Sequence, residues 1–282
     1  MVVFKKHAEL QAHLAAVSKA KTSIGFVPTM GALHKGHLSL LNESLLHNDI
    51  TVTSIFVNPT QFNNHEDLAR YPRTLDSDLA KIISVSDKII VYAPTVNDIY
   101  KGKTISDHFD FDGLENQMEG KFRPGHFDGV ATIVRRLFEI VKPTNAYFGE
   151  KDFQQLQIVR KMTIKNDLPV NIVGCPIFRE INGLAMSSRN ERLTKPERAE
   201  AAIIFTILKQ AQTMFANKSA KQVTDWVQLA FKKVPAFQLE YFQIADEATL
   251  SPFSRKRKGK KYRAFIAVFV NQIRLIDTIL LN

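Results

Sequence analysis

Over its first 176 residues this 282-residue chain alternates short apolar, β-branched runs with longer stretches of helical periodicity. The β-like runs fall at 24–27, 50–57, 88–92, 145–148 and 170–175, and the helical stretches at 7–19, 36–47, 74–86, 128–141 and 151–166. Within 128–141, Val130, Ile133, Val134, Leu137, Phe138 and Val141 recur at the spacing of one helix face. Strands that are apolar on both faces must be covered on both, and a helix after each strand returns the chain to start the next one in parallel. Right-handed crossovers then give a Rossmann-like, doubly wound parallel sheet of the α/β class. That constraint also says where to look for chemistry, because ligands of such sheets bind beyond the carboxyl ends of the strands.

The pattern changes after residue 176. Thr194-Lys195-Pro196-Glu197 reads as a helix start, with a hydroxyl cap, Pro in the first turn and an early acid. Helices are predicted at about 195–216 and 219–233, then β-like runs at 239–245, 264–270 and 273–276. Residues 1–176 are therefore expected to form the Rossmann-like domain and 177–282 a smaller α+β domain.

Composition narrows the setting. Cys175 is the single cysteine, so no intrachain disulfide can form, and its apolar neighbours Ile172, Val173 and Gly174 favour a buried, inert thiol. The longest apolar run, 264–270, falls far short of the roughly 20 residues a membrane span needs. The first residues lack an apolar leader core, so a cytoplasmic protein is expected. The chain carries 38 Lys+Arg against 28 Asp+Glu, a net charge of +10. Seven of the cations lie in Arg255–Arg263, and without them the net charge would be +3. The run could track nucleic-acid phosphates, but it comes without an RNA-binding motif and with only Tyr262 as an aromatic, between two β-like segments where a solvated hairpin loop suffices.

Four segments follow β-like runs and carry polar, glycine-containing sequence. The first is Pro28-Thr29-Met30-Gly31-Ala32-Leu33-His34-Lys35-Gly36-His37. His34 and His37 are three apart at a helix start, so their imidazoles point the same way. Gly36 lets a ligand approach the backbone, and the helix N-terminus favours an anion. A polyphosphate suits this H-x-G-H element; two surface histidines beside a turn is the alternative. The second is Asn58-Pro59-Thr60-Gln61, either neutral groups for a small polar substrate or an ordinary Asn-Pro turn. The third is Gly149-Glu150-Lys151-Asp152, where a cation at a helix start makes sense if an anion sits between them, unless the acids cap the helix and pair with Lys151. The fourth, after 170–175, runs from Phe178 to Met186-Ser187-Ser188-Arg189, hydroxyls and a guanidinium that bind phosphate oxygens or form a plain loop. A doubly wound sheet would gather all four at one edge. Asp76 and Asp78 could cap a helix or stand in the outer shell of a magnesium ion, and Arg123 and His126 sit in a Gly- and Pro-containing loop that could cover the site or simply connect.

With these residues in view, the chain resembles the pantoate–β-alanine ligase (pantothenate synthetase) family. The matching segments are PTMGALHKGH at 28–37, FVNPTQF at 56–62, DLARYPRT at 67–74, EGKFRPGHFDGV at 119–130, YFGEKDFQQL at 147–156, MSSRN at 186–190 and IRLID at 273–277. They span nearly the whole chain. H-x-G-H alone would indicate only the wider nucleotidyltransferase superfamily. The resemblance implies ATP-driven condensation of (R)-pantoate with β-alanine to pantothenate, AMP and pyrophosphate through a pantoyl-adenylate, with Mg²⁺. It also implies that Met30, Gly31, His34, Gly36, His37, Gly149, Lys151, Asp152, Phe178, Met186, Ser187, Ser188 and Arg189 hold ATP. His34, His37 and Lys151 would be catalytic, with His37 the proton donor. Gln61 and Gln155 would bind pantoate, Gln61 also lying beside β-alanine. No protein metal site, nucleic-acid partner or membrane is implied; a homodimer is. Lys35 stands where the family often has an acid, and Met186 where it often has Leu; neither change removes a reacting group.

Overall fold

The computed structural model describes residues 1–18, 21–63 and 65–282. Its elements run, in chain order, β1 (Val2–Phe4), α1 (His7–Val17), β2 (Ile24–Thr29), α2 (Lys35–His47), β3 (Ile50–Ile55), α3 (His65–Arg70), α4 (Leu75–Val85), β4 (Ile90–Tyr92), α5 (Val96–Tyr100), α6 (Met118–Phe122), α7 (His126–Val141), β5 (Asn145–Gly149), α8 (Phe153–Lys165) and β6 (Asn171–Cys175). Then come α9 (Lys195–Glu200), α10 (Ile203–Phe215), α11 (Ala220–Lys232), β7 (Phe237–Asp246), β8 (Tyr262–Val270) and β9 (Ile273–Leu280). Of the helix expected at 7–19, residue 19 lies outside the described residues.

β1 to β6 form one all-parallel sheet in the order β1-β4-β3-β2-β5-β6, with helices on both faces. The strand order reverses between β2 and β5. β2 leads outward to β3 and β4 on one side, while β5 leads to β6 on the other. Their crossovers leave in opposite directions, which opens a crevice at the carboxyl ends of β2 and β5. The H-x-G-H loop follows β2 and the G-E-K-D segment follows β5, so the topology alone sets them face to face. Cys175 ends β6 as a buried free thiol whose pKa burial raises to about 11, with no role for a thiolate.

β7, β8 and β9 form an antiparallel sheet, with α10 and α11 against one face. The two-residue period of β8 sorts its side chains. Ala264, Ile266, Val268 and Val270 enter the core shared with α10 and α11, while Phe265 joins the core of the parallel sheet and, with Phe269, faces the site described below. The run at 264–270 is apolar because both faces of this strand are covered.

Three differences from the sequence reading have local causes. The helix expected at 195–216 is two helices. Ala201 and Ala202 keep right-handed helical dihedrals, but the Ala202 and Ile204 amides bond to carbonyls only three residues back. Periodicity barely registers so small a change of pitch. β1 is three residues long and finds its place only by pairing with β4. The basic run is not wholly a solvated loop: Arg263 is buried in β8 and reaches Glu150 (3.2 Å) and Glu247 (3.3 Å), while the Lys256 ammonium lies over the Phe215 ring. Among the described residues no helix is long and apolar enough to cross a membrane.

Candidate active site

A cavity of about 580 Å³ opens at the β2/β5 crevice and is closed on its far side by the C-terminal sheet. It is lined by Met30, His34, Gly36, His37, Gln61, Gly149, Lys151, Asp152, Gln155, Phe178, Met186, Ser187, Ser188 and Arg189. Of the residues that the family resemblance assigned to ATP or pantoate, only Gly31 does not line it. Gly31 instead shapes the loop behind, at φ 82°, where side chains are strained.

His34 is the N-cap of α2 and His37 its third residue. Their rings stack with centroids 4.0 Å apart, over a position where a Gly36 side chain would crowd His34 at 3.0 Å. The His34 backbone N–H donates to His37 Nδ1 (3.3 Å), which leaves the His37 proton on Nε2. Both imidazoles stay neutral. Burial lowers the His34 pKa to about 4, helped by the nearby Lys151 cation. Burial again comes first in holding His37 well below the usual imidazole range, followed by His34 and Lys151. The pair therefore offers N–H dipoles to an anion rather than fixed positive charge. His34 Nδ1 is buried without a hydrogen-bond partner.

Charge in the cavity comes from elsewhere. Lys151 pairs with Asp152 at 2.9 Å in the short turn between β5 and α8, so the pairing considered from the sequence does occur, and both groups still face the cavity. Arg189 follows Ser187, whose hydroxyl caps the next turn by accepting the Arg189 N–H. This segment hangs from a small hairpin in which the Met186 N–H donates to the Phe178 carbonyl. Arg189 also reaches Asp67 (3.4 Å), and Tyr71 shares a hydrogen bond with Ser188. The DLARYPRT and MSSRN segments, more than a hundred residues apart, thus meet over the cavity.

Gln61 is buried on its 3-10 turn. Its side-chain oxygen accepts from Asn58 (3.2 Å), and its carbonyl lies 2.8 Å from His126 Nδ1 and 3.3 Å from Arg123. Asn58 is no plain turn residue: it accepts from Tyr100 and donates to the Gly129 carbonyl. Burial, then the Arg123 charge, lowers the His126 pKa to about 4. Gln155 and its neighbour Gln154 both line the cavity, but the Gln154 amide is spent holding the backbone of Leu114, Gln117 and Glu119.

Sequence reading missed the wall supplied by the C-terminal sheet. Arg274 on β9 binds Glu119 through two 2.7 Å bonds and also binds Glu240; the Tyr241 hydroxyl donates to Glu119. Burial pushes the Glu119 pKa up, but the Arg274 hydrogen bonds and charge outweigh it and hold the carboxyl below its usual range. A half-buried Arg179 forms a second pair, with the buried Asp277. Arg274 and Asp277 lie in the IRLID segment, which was the one available signal. Asp78, weighed as a cap or an outer-shell magnesium ligand, does not cap its own helix, whose N-cap is Thr74. It is fully buried, with both oxygens turned into the loop before His34.

The parallel sheet, the stacked histidines and the cations Lys151 and Arg189 in one cavity place this chain among enzymes that handle a phosphorylated ligand at a strand-end crevice. Comparison with known proteins makes that specific. The sequence profile of the family described as pantoate-beta-alanine ligase matches residues 2–280. A pantothenate synthetase of Flavobacterium psychrophilum is 63% identical over 282 residues, the full length of both chains. One of Christiangramia forsetii is 53% identical, also over all of both chains. The solved pantothenate synthetase of Thermus thermophilus has a TM-score of 0.90 at 38% identity, covering 100% of this chain and 99% of that one. The pantoate-beta-alanine ligase of Francisella tularensis, complexed with beta-gamma ATP and beta-alanine, has a TM-score of 0.82 at 33% identity, covering 99% and 97%. The chain belongs to the pantoate–β-alanine ligase family. It is a ligase with pantothenate synthetase activity, acting in pantothenate biosynthesis.

Proposed function

We propose that the reaction runs in two steps within the one cavity. The (R)-pantoate carboxylate attacks the α-phosphorus of MgATP and pyrophosphate leaves. The β-alanine amine then attacks the mixed anhydride, and AMP leaves. Adenylation is needed because a carboxylate oxygen is a poor leaving group, and this route requires no protein nucleophile. Catalysis is then alignment and charge stabilisation.

The observation that carries this reading is the neutral, stacked His34–His37 pair at the α2 N-terminus, in the same cavity as Lys151. His37 Nε2–H and His34 donate to phosphate oxygens, and Lys151 offsets the charge that grows as pyrophosphate departs. Ser187, Ser188 and Arg189 take the terminal phosphates. Met30, Gly31, Gly36, Gly149, Phe178 and Met186 shape the nucleotide site, and Asp152 takes the ribose. Gln61 and Gln155 hold pantoate, with Gln61 also beside β-alanine. Mg²⁺ arrives with ATP, whose phosphate oxygens supply most of its ligands. Residues 1–176 bind ATP and pantoate, residues 177–282 bring the Ser-Ser-Arg segment over the phosphates, and the enzyme works as a cytoplasmic homodimer.

The test is pyrophosphate exchange into ATP. Exchange should require pantoate, proceed without β-alanine, and ignore other amino acids and tRNA. Exchange that starts only when β-alanine is added would rule out the adenylate route.

A further inference from the structure

We propose that Asp78 is a positioning residue for the H-x-G-H element. With Lys81 it clamps the loop 31–33 and so sets where His34 and His37 stand. The proposal rests on the assignment of those histidines to adenylation.

The geometry is specific. Asp78 lies on α4, outside the cavity lining, and has no exposed surface. Its Oδ2 accepts the Ala32 N–H at 2.9 Å and its Oδ1 the Leu33 N–H at 2.7 Å; Thr74 Oγ1 lies 3.2 Å from Oδ2. Consecutive amides can converge on one carboxylate because Gly31 and Ala32 both have left-handed backbone, at φ 82° and 49°. A β-carbon on Gly31 would lie 3.1 Å from Asp78 Oδ2, so carboxylate and loop are already in close contact. One turn further along α4, Lys81 Nζ donates to the Leu33 carbonyl at 2.7 Å. The Leu33 backbone is thus held at both its N–H and its C=O by side chains of one helix, while the Leu33 side chain is sunk in the core with Leu41 and Ile82.

The next residue is His34. Its backbone N–H is the donor that orients His37. The clamp therefore leads through covalent geometry to the ring that is to meet the phosphates, and Asp78 acts without touching substrate. Only a carboxylate serves here. An amide in its place would turn an NH₂ group toward one of the two loop N–H donors, leaving both unsatisfied in a buried place.

A double-mutant cycle tests this. In pantoate-dependent pyrophosphate exchange, Asp78→Asn should lower kcat about 100-fold, the usual consequence of shifting a catalytic group by an ångström, with the KM for ATP nearly unchanged. Combined with His37→Ala, the same change should cost no more than about threefold, because the group it positions is already gone. Full multiplication of the two losses would overturn the proposal, since a general structural defect lowers activity whether or not His37 is present. Lys81→Met loosens the clamp without a buried vacancy on the amides and should show the same non-additivity with a smaller loss; it decides the matter if Asp78→Asn does not fold. Wild-type protein without pantoate-dependent exchange would bring down the assigned chemistry, and the clamp with it. Wild-type exchange with additive losses would bring down the clamp alone.

Discussion

The cavity has two walls, and they are built by different means. The wall from the parallel sheet is made of loops that leave β2, β3 and β5, each aimed by the strand before it and the helix after it. His34 and His37 are placed chiefly by a cap and a left-handed turn, with one contact from farther along the chain, the buried Asp78 carboxylate. The wall from the C-terminal sheet is attached by ion pairs between residues remote in sequence, Arg274 to Glu119 and Arg263 to Glu150, while Arg179 to Asp277 ties the Ser-Ser-Arg hairpin to β9. Short-range geometry fixes a group to within its own backbone; a remote ion pair fixes two elements to each other and gives way when either partner is lost. The first wall should govern chemistry and the second should govern whether the cavity is closed.

The largest effect should come from the first wall. His37→Ala should lower kcat and kcat/KM for adenylation together, by about 10²- to 10³-fold, as expected for one lost donor to developing charge. Steady-state exchange kinetics would show this, and a loss confined to the KM for ATP would place the histidine in ground-state binding instead. Glu119→Ala should break the second wall. It leaves Arg274 with Glu240 as its remaining acid and should cost about 3–5 kcal/mol of stability, read as a shift in the denaturant midpoint. If instead it lowers kcat strongly while stability is kept, the division between the walls is wrong.

A smaller effect is expected at Gln155. Its replacement by Ala should weaken pantoate binding by about tenfold, the worth of a hydrogen bond or two, and leave ATP binding intact. Separate calorimetric titrations with each ligand would check it. The smallest concerns pH. The His34 and His126 pKa values near 4 lie below the ordinary 6.5, so between about pH 6.5 and 4 the unfolded chain binds more protons than the folded one. Their contribution to stability is complete above pH 6.5 and is lost as pH falls toward 4. Melting temperatures at pH 7.5 and 4.5 should therefore differ less in His126→Gln than in the wild type. Over pH 6 to 8 the same values predict an exchange rate with no inflection from His34 or His126.

Much of the first wall was legible in the chain because its signals are local. Apolar runs alternating with helical periodicity implied a parallel sheet, and the polar segments after those runs supplied the candidate site. Gly31 was read as a ligand contact, and the structure adds that it turns the loop behind the cavity lining at φ 82°; a glycine in a motif does not by itself reveal such a scaffold role. Asp78 was visible only as one of two acids at a helix start. Nothing near it in sequence says that its oxygens turn inward, since the amides it binds lie 45 and 46 residues away. Arg263 was counted with an exposed basic run; only the register of β8 against β7 and β9 shows that it points into protein.

The sequence by itself determined the class of fold, the edge of the sheet where chemistry sits and the identity of the groups available there, because periodicity, caps and turn residues act over a few positions. The tertiary structure decided the rest. It made the histidines neutral by burying them, turned the Asp78 carboxylate onto the loop before His34, and joined Arg274 to Glu119 across 155 residues. Burial and remote pairing depend on which surfaces meet, and that is a property of the packed chain rather than of any segment in it.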